Sequence, residues 1–279
     1  MQRTGKYKPR MKQKINNFSL MLCNATLFRA RLRLEYRLMR DRSNPMEIPN
    51  EKFVKLFRLN KHLAQNIFVE VQEFMDNDDR RNKIPSFLQF LAALNFYGTG
   101  SFQTSVGQDL NIAISQSAMS RCINKISTIF TNYMLARYVK FPVTAEHIRK
   151  AKQGFQNNFN FPDAIGAIDC THVAITTPKD TDPNNPAVAY LNRKGYYSIN
   201  VQAICDSEMI FTNINARYPG ATDDAAIWQT STVNANLQTR YLAGERNTWL
   251  IGYSGYPIQP WMMTPIPDAP GDTPEGIYT

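Results

Sequence analysis

At Phe161-Pro162 the spacing of apolar residues changes, and that change restricts the chain to a helical part followed by a strand-rich part. Before it, Phe53, Leu56, Phe57 and Leu59, then Leu63, Ile67, Phe68, Val71 and Phe74, recur at the spacing that lines one face of a helix. Ile84-Pro85 opens another helix, Ser86 to Phe96, which ends at Gly98 and Gly100. The span from Ser115 to about Val139 reads as a longer one. After Pro162 the apolar runs shorten to strand length: Ala164–Ile168, Val173–Thr176, Ser198–Cys205, Met209–Ala216 and Trp249–Gly252. Asp206-Ser207-Glu208 supplies the turn of a hairpin. Asp223 and Asp224 stand where the exposed amides of a helix from Ala225 to Val233 favour a carboxylate. The tail beyond Pro265 is rich in Pro, Gly and Asp and reads as loop. The expected organisation is a basic arm over 1–46, a helical region over 47–155 and a strand-rich domain over 156–279.

Charge is unevenly spread. Residues 1–40 hold eleven Lys or Arg against Glu35 alone, while the rest of the chain is nearly neutral, so the net +9 resides in the arm. An arm of this kind suits a polyanion through counterion release, and equally suits a solubilising tail. Phe18–Cys23 is too short to span a bilayer, so no membrane association is expected. Cys23, Cys122, Cys170 and Cys205 lie far apart with no CxxC pair, which excludes a zinc ribbon or a disulfide framework and fits a reducing compartment.

The candidate chemistry sits at the end of the first strand. Two-metal phosphodiester cleavage needs carboxylates from separate elements to converge on ions about 4 Å apart. Hard Mg²⁺ or Mn²⁺ prefers such oxygen ligands. Asp169, reached through Ala164–Ile168, is mounted on a strand whose backbone neighbours would fix it. In the helical part, Ser101–Leu110, Asn111–Ile114 and the helix opening Ser115-Gln116-Ser117-Ala118-Met119-Ser120-Arg121 form a helix-turn-helix-like unit. Ser115, Gln116, Ser117 and Arg121 at such a helix start suit groove and phosphate contacts. Ile112, Ile114, Met119, Ile123, Ile126 and Ile129 would supply its apolar face. Arg193 and Lys194 are further candidate phosphate contacts, with a solvated turn as the alternative. His172 reads as a metal or substrate ligand, or as a hydrogen-bonded strand histidine.

The ordered series Phe161–His172, Tyr190–Gln202, Ile204–Asp206, Tyr218–Ala225 and Gly252–Pro265 resembles the transposases of the PIF/Harbinger superfamily and the nucleases derived from them, over about residues 50–279. The resemblance implies an α/β (α+β) fold: an RNase H-like mixed sheet with flanking helices, preceded by the helix-turn-helix-like region. It implies Asp/Asp/Glu chemistry on DNA with a divalent cation, a nuclear setting with the cytosol also compatible, and a separate Myb-like DNA-binding partner. Asp169 matches the first metal-binding Asp, and Asp224 matches the Asp after the Pro-Gly turn. The Asp of the Gly-Asp-Ser-Gly-Tyr motif is here Tyr253. The final Glu belongs to a helix that would follow Thr273-Pro-Glu275, so the domain is expected to be C-terminally incomplete. A phenol with an ordinary pKa near 10 offers Mg²⁺ a neutral oxygen where an anion is needed. Losing one such group typically costs about a hundredfold to a thousandfold. The expectation is therefore cleavage lost or weakened, or a non-catalytic DNA- or protein-binding scaffold.

Overall fold

The computed structural model describes residues 44–75, 84–100, 114–179 and 186–266, with parts of 27–39 and residues 270, 272 and 273. Contacts divide the chain into two units, 1–134 and 135–279.

In the first unit the helices are α1 (Asn50–Phe57), α2 (Lys61–Gln72), α3 (Ser86–Thr99) and α4 (Gln116–Ile129), followed by a π-turn over Phe130–Met134. Their ends follow from side-chain chemistry. Asn60 caps α2 by accepting from Leu63 N at 2.8 Å, and Ser115 caps α4 by accepting from Ala118 N at 3.3 Å. Gly100 closes α3 in the left-handed conformation, φ 61°. Phe53, Phe57, Phe90, Leu91, Met119 and Ile126 are fully buried together. The expected apolar face of α4 is buried at Ile114, Met119, Ile123, Ile126 and Ile129, while Ile112 and the supporting helix Ser101–Leu110 lie outside the described residues. Most of the basic arm lies outside them too.

The second unit begins inside the span expected as one long helix, with a final helical turn over Leu135–Tyr138. It continues with α5 (Ala145–Phe159), β1 (Ala164–Ala174), β2 (Ser198–Cys205), β3 (Phe211–Pro219), α6 (Asp224–Gln229), α7 (Thr232–Leu242), β4 (Trp249–Ile251) and β5 (Met262–Met263). The sheet order is β3-β2-β1-β4-β5. β1, β2 and β3 pair antiparallel, and β4 and β5 run parallel to β1. This five-stranded mixed sheet with flanking helices is the RNase H-like arrangement.

Several local readings are corrected here. Ala164–Ile168 and the first two residues of Val173–Thr176 belong to one eleven-residue strand, because β2 pairs with β1 without interruption from Ala167 to Ala174. The helix expected over Ala225–Val233 is two, since Ser231 accepts from Asn234 N at 3.1 Å and starts α7. Helix α5 has no counterpart in the sequence reading, and the boundary expected at 155/156 falls inside it. Its inward residues, Ile148, Ala151 and Phe155, are few, and the rest of the helix is polar. Thr144, which accepts from His147 N at 3.2 Å, was the available start signal.

Gly166 shows how tightly β1 is held. A Cβ there would stand 2.7 Å from Ile204 Cγ2 and 2.9 Å from Leu250 Cδ2, so only glycine lets β2 and β4 close on the strand. Ile165, Ile168, Ile204, Leu250, Trp228 and Met262 complete the core beneath.

Candidate metal centre

β1 delivers Asp169 to the point where the buried part of the strand gives way to an exposed one. Its Oδ1 accepts from Cys170 N at 2.7 Å. Because β4 runs parallel beside Ala164–Ala167, the chain leaving Ile251 brings Gly252 and Tyr253 toward the middle of β1, where Asp169 stands. Asp224 arrives from the other side, as the first residue of α6. The turn before it is tied down by Gly220 N donating to Ser198 O at 2.8 Å. Asn200, on β2 and opposite His172, then donates to Asp224 Oδ1 at 2.9 Å and to Thr222 O at 2.9 Å.

The second oxygen of Asp224 is also taken. Tyr253 Oη donates to Asp224 Oδ2. The ring reaches it by lying over Gly255, where no Cβ would fit beneath it. Burial, the hydrogen bond to Asp224 and the charges of Asp224 and Asp169 push the Tyr253 phenol up to about 12, against an opposing effect of Arg193. Cys170 is pushed up to about 12, first by burial and also by Asp224 and Asp169, while its contact with Tyr256 Oη at 3.2 Å opposes the shift. Tyr256 is pushed well above its ordinary value, first by burial and then by Cys170 and the same two carboxylates. Asp169 and Asp224 thus act on one shared set of neighbours. They do not face opposite sides of the fold.

Beside this cluster is a cavity of about 340 Å³ lined by His172, Arg193, Asn200, Asp223, Asp224 and Tyr253 among others. Asp169 and Lys194 stand outside its lining. Asp223 occupies the position before α6 but makes no capping hydrogen bond. Asp206 is a turn residue: its Oδ1 accepts from Glu208 N and Ile210 N, both at 2.9 Å. In the other unit, Ser115, Gln116, Ser117 and Arg121 are exposed at the start of α4, with the Ser115 hydroxyl engaged as the cap.

Sequence reasoning overlooked Asn192, Ser198 and Asn200, the polar framework of this cavity. The signal was present in β2, whose alternate positions Ser198, Asn200 and Gln202 are polar on the face that turns out buried. Successive polar residues at inward positions of a strand need buried partners, which Ser198 and Asn200 find here.

A mixed sheet of this order, with carboxylates midway along its central strand (Asp169, which the sequence placed at a strand end) and after its third, is that of a DDE-type nuclease fold. Residues 168–276 match the family described as DDE superfamily endonuclease. The chain is 34% identical over 196 residues to "Putative nuclease HARBI1" of Homo sapiens, covering 69% of this chain and 53% of that protein. It is 34% identical to the protein of the same name from Rattus norvegicus, over 69% of this chain and 53% of that one. It is 24% identical to "Protein ALP1-like" of Arabidopsis thaliana, over 71% of this chain and 49% of the relative. The chain belongs to the Harbinger transposase-derived, DDE nuclease-like family, and spans about half the length of these relatives. No solved structure matches it.

Nucleases of this superfamily generally use divalent metals. The residues present do not fit one. Among the described residues no three His, Cys, Asp or Glu side chains gather into a metal-binding group. Both oxygens of Asp224 already accept from Asn200 and Tyr253. A neutral phenol held there supplies none of the negative charge that Mg²⁺ requires in exchange for its water.

Proposed function

We propose that this chain is a Harbinger-derived nuclease fold that holds DNA, and in which metal-dependent phosphodiester cleavage is lost or strongly weakened. The observation that carries the reading is the hydrogen bond from Tyr253 to Asp224. It occupies a carboxylate oxygen with a proton where a cleaving site needs a cation, and it stands at the position of a family carboxylate. Arg193 in the cavity, and Gln116, Ser117 and Arg121 on the exposed start of α4, are the proposed DNA contacts. By the same reading the protein acts in the nucleus, beside a Myb-like DNA-binding partner, as a scaffold and not as a cutter.

The test is nicking of supercoiled duplex DNA in Mg²⁺ or Mn²⁺, with binding measured in parallel by fluorescence anisotropy. The expected result is salt-dependent binding with no cleavage above that of a preparation lacking both Asp169 and Asp224. Metal-dependent cleavage abolished by Asp169→Ala would overturn the scaffold reading in favour of an active nuclease.

A further inference from the structure

Asn192 is 3% exposed and Ser198 is fully buried, and together they connect Arg193 to His172. Asn192 Oδ1 accepts from Lys194 N at 2.9 Å and from Tyr196 N at 3.4 Å, which assigns its amide orientation and fixes the turn that carries Arg193. Its Nδ2 therefore faces Ser198 and donates to Ser198 Oγ at 2.9 Å. Ser198 Oγ in turn lies 3.1 Å from His172 Nδ1.

The direction of that last bond follows from counting protons. Asn192 Nδ2 can only donate, so Ser198 Oγ accepts there. If His172 Nδ1 also donated, the hydroxyl proton of Ser198 would be buried without an acceptor, at a cost that native interiors rarely bear. With Ser198 donating to His172 Nδ1, both the Ser198 hydroxyl proton and the Nδ1 lone pair are satisfied. The imidazole proton is then on Nε2, and both His172 and Arg193 line the cavity. A ring in this tautomer has no lone pair on Nε2 for a metal, and presents an N–H to an acceptor instead.

Resting on the reading that DNA is held at this cavity, we infer that His172 Nε2–H and the Arg193 guanidinium together seat a non-bridging phosphate oxygen of the strand, with Asn192 and Ser198 as positioning residues. Two donors and no acceptor select for an oxygen anion, and a guanidinium suits phosphate geometry. The site needs no cation to bind. Asp223 and Asp224 also face the cavity, and the proton of Tyr253 and the amide of Asn200 offset the charge of the second.

The experiment uses the full chain labelled with ¹⁵N-histidine, and reads the two-bond nitrogen–proton correlations of His172 in EDTA at neutral pH. The expected spectrum is that of the Nε2–H tautomer, with the Nε2 proton shifting on addition of a short single-stranded oligonucleotide. An Nδ1–H tautomer, or an unshifted Nε2 proton, overturns the inference. Anisotropy on the same samples tells whether DNA binding has failed as well, which would sink the proposed function, or has survived, which would sink only this seat. His172→Ala is expected to weaken oligonucleotide binding about tenfold, as for loss of one charge-assisted hydrogen bond. His172→Gln, whose amide places a donor near the Nε2 position, is expected to retain most of it. Equal loss in both variants would show a merely structural histidine.

Discussion

Replacing Tyr253 with Asp tests directly whether the phenol stands in for a cation. In the native chain the Tyr253–Asp224 hydrogen bond has one charged partner, a type that contributes about 1.5–3 kcal/mol when buried. Tyr253 is 41% exposed, so solvent screening brings this to about 1 kcal/mol. The sign with pH follows from the raised phenol: the contribution is fully present below the ordinary value near 10 and is lost as pH rises through about 12. At neutral pH it is intact. Tyr253→Phe should therefore cost about 1 kcal/mol. Tyr253→Asp loses the same bond and sets a second carboxylate beside Asp224. At an effective dielectric of about 20 that repulsion has an upper bound of about 4 kcal/mol at 4 Å, and roughly half remains at this exposure.

Metal narrows the gap. If the Asp variant holds Mg²⁺ with a dissociation constant of about 1 mM, 10 mM Mg²⁺ stabilises it by about 1.4 kcal/mol, or about 3 °C in melting temperature. Thermal unfolding of the full chain with and without 10 mM Mg²⁺, at matched ionic strength, is the assay. The native chain and Tyr253→Phe should not respond; Tyr253→Asp should. A native chain that gains as much from Mg²⁺ as the Asp variant would refute the reasoning, because Tyr253 would then not be occupying the cation's place.

Three further outcomes are expected. Trp228 is fully buried and donates from Nε1 to Gln259 Oε1 at 2.9 Å, so Trp228→Ala should destabilise the chain by about 3–5 kcal/mol in a denaturant titration. Gln202 is fully buried and neither of its amide atoms has a hydrogen-bond partner; Gln202→Met should therefore stabilise by about 1 kcal/mol, and a loss of that size would show the amide to be satisfied by water. Burial holds the thiols of Cys122 and Cys170 up at about 11 and about 12, so both should be alkylated by iodoacetamide at pH 8 more slowly than free cysteine, as read by peptide mass spectrometry.

The strand-rich domain was legible because its strands carry the period of the sheet they form, and Asp169 was legible because it ends an apolar run. α5 was hidden by its exposure: three inward side chains leave too little periodicity over fifteen residues. The break between α6 and α7 was missed because Thr230 and Ser231 can continue a helix or restart one, and only the Ser231 cap to Asn234 decides. At the site, Tyr253 was conspicuous as a departure from the motif. What it touches was not readable, because its partner is 29 residues away and lies on a different element. The Asn192–Ser198–His172 chain was hidden for the same reason: pairing of β1 with β2 sets His172 beside the buried polar column of β2.

Asp224 explains how the fold can persist without the ion its family uses. A half-buried carboxylate needs compensation, which a cation provides in a cleaving site. Here Asn200 donates to one oxygen and Tyr253 to the other, so the charge is met by protein donors that fold with the chain. Asp169 needs less, being exposed and already bonded to Cys170 N. Stability and cleavage are thereby separated at the level of single atoms. A cooperative, metal-independent melt of this chain would report on the first and say nothing of the second. Removing one donor at a time, in Asn200→Ala and Tyr253→Phe, should weaken the fold without drawing a cation in, because neither change supplies the second carboxylate that Tyr253→Asp does.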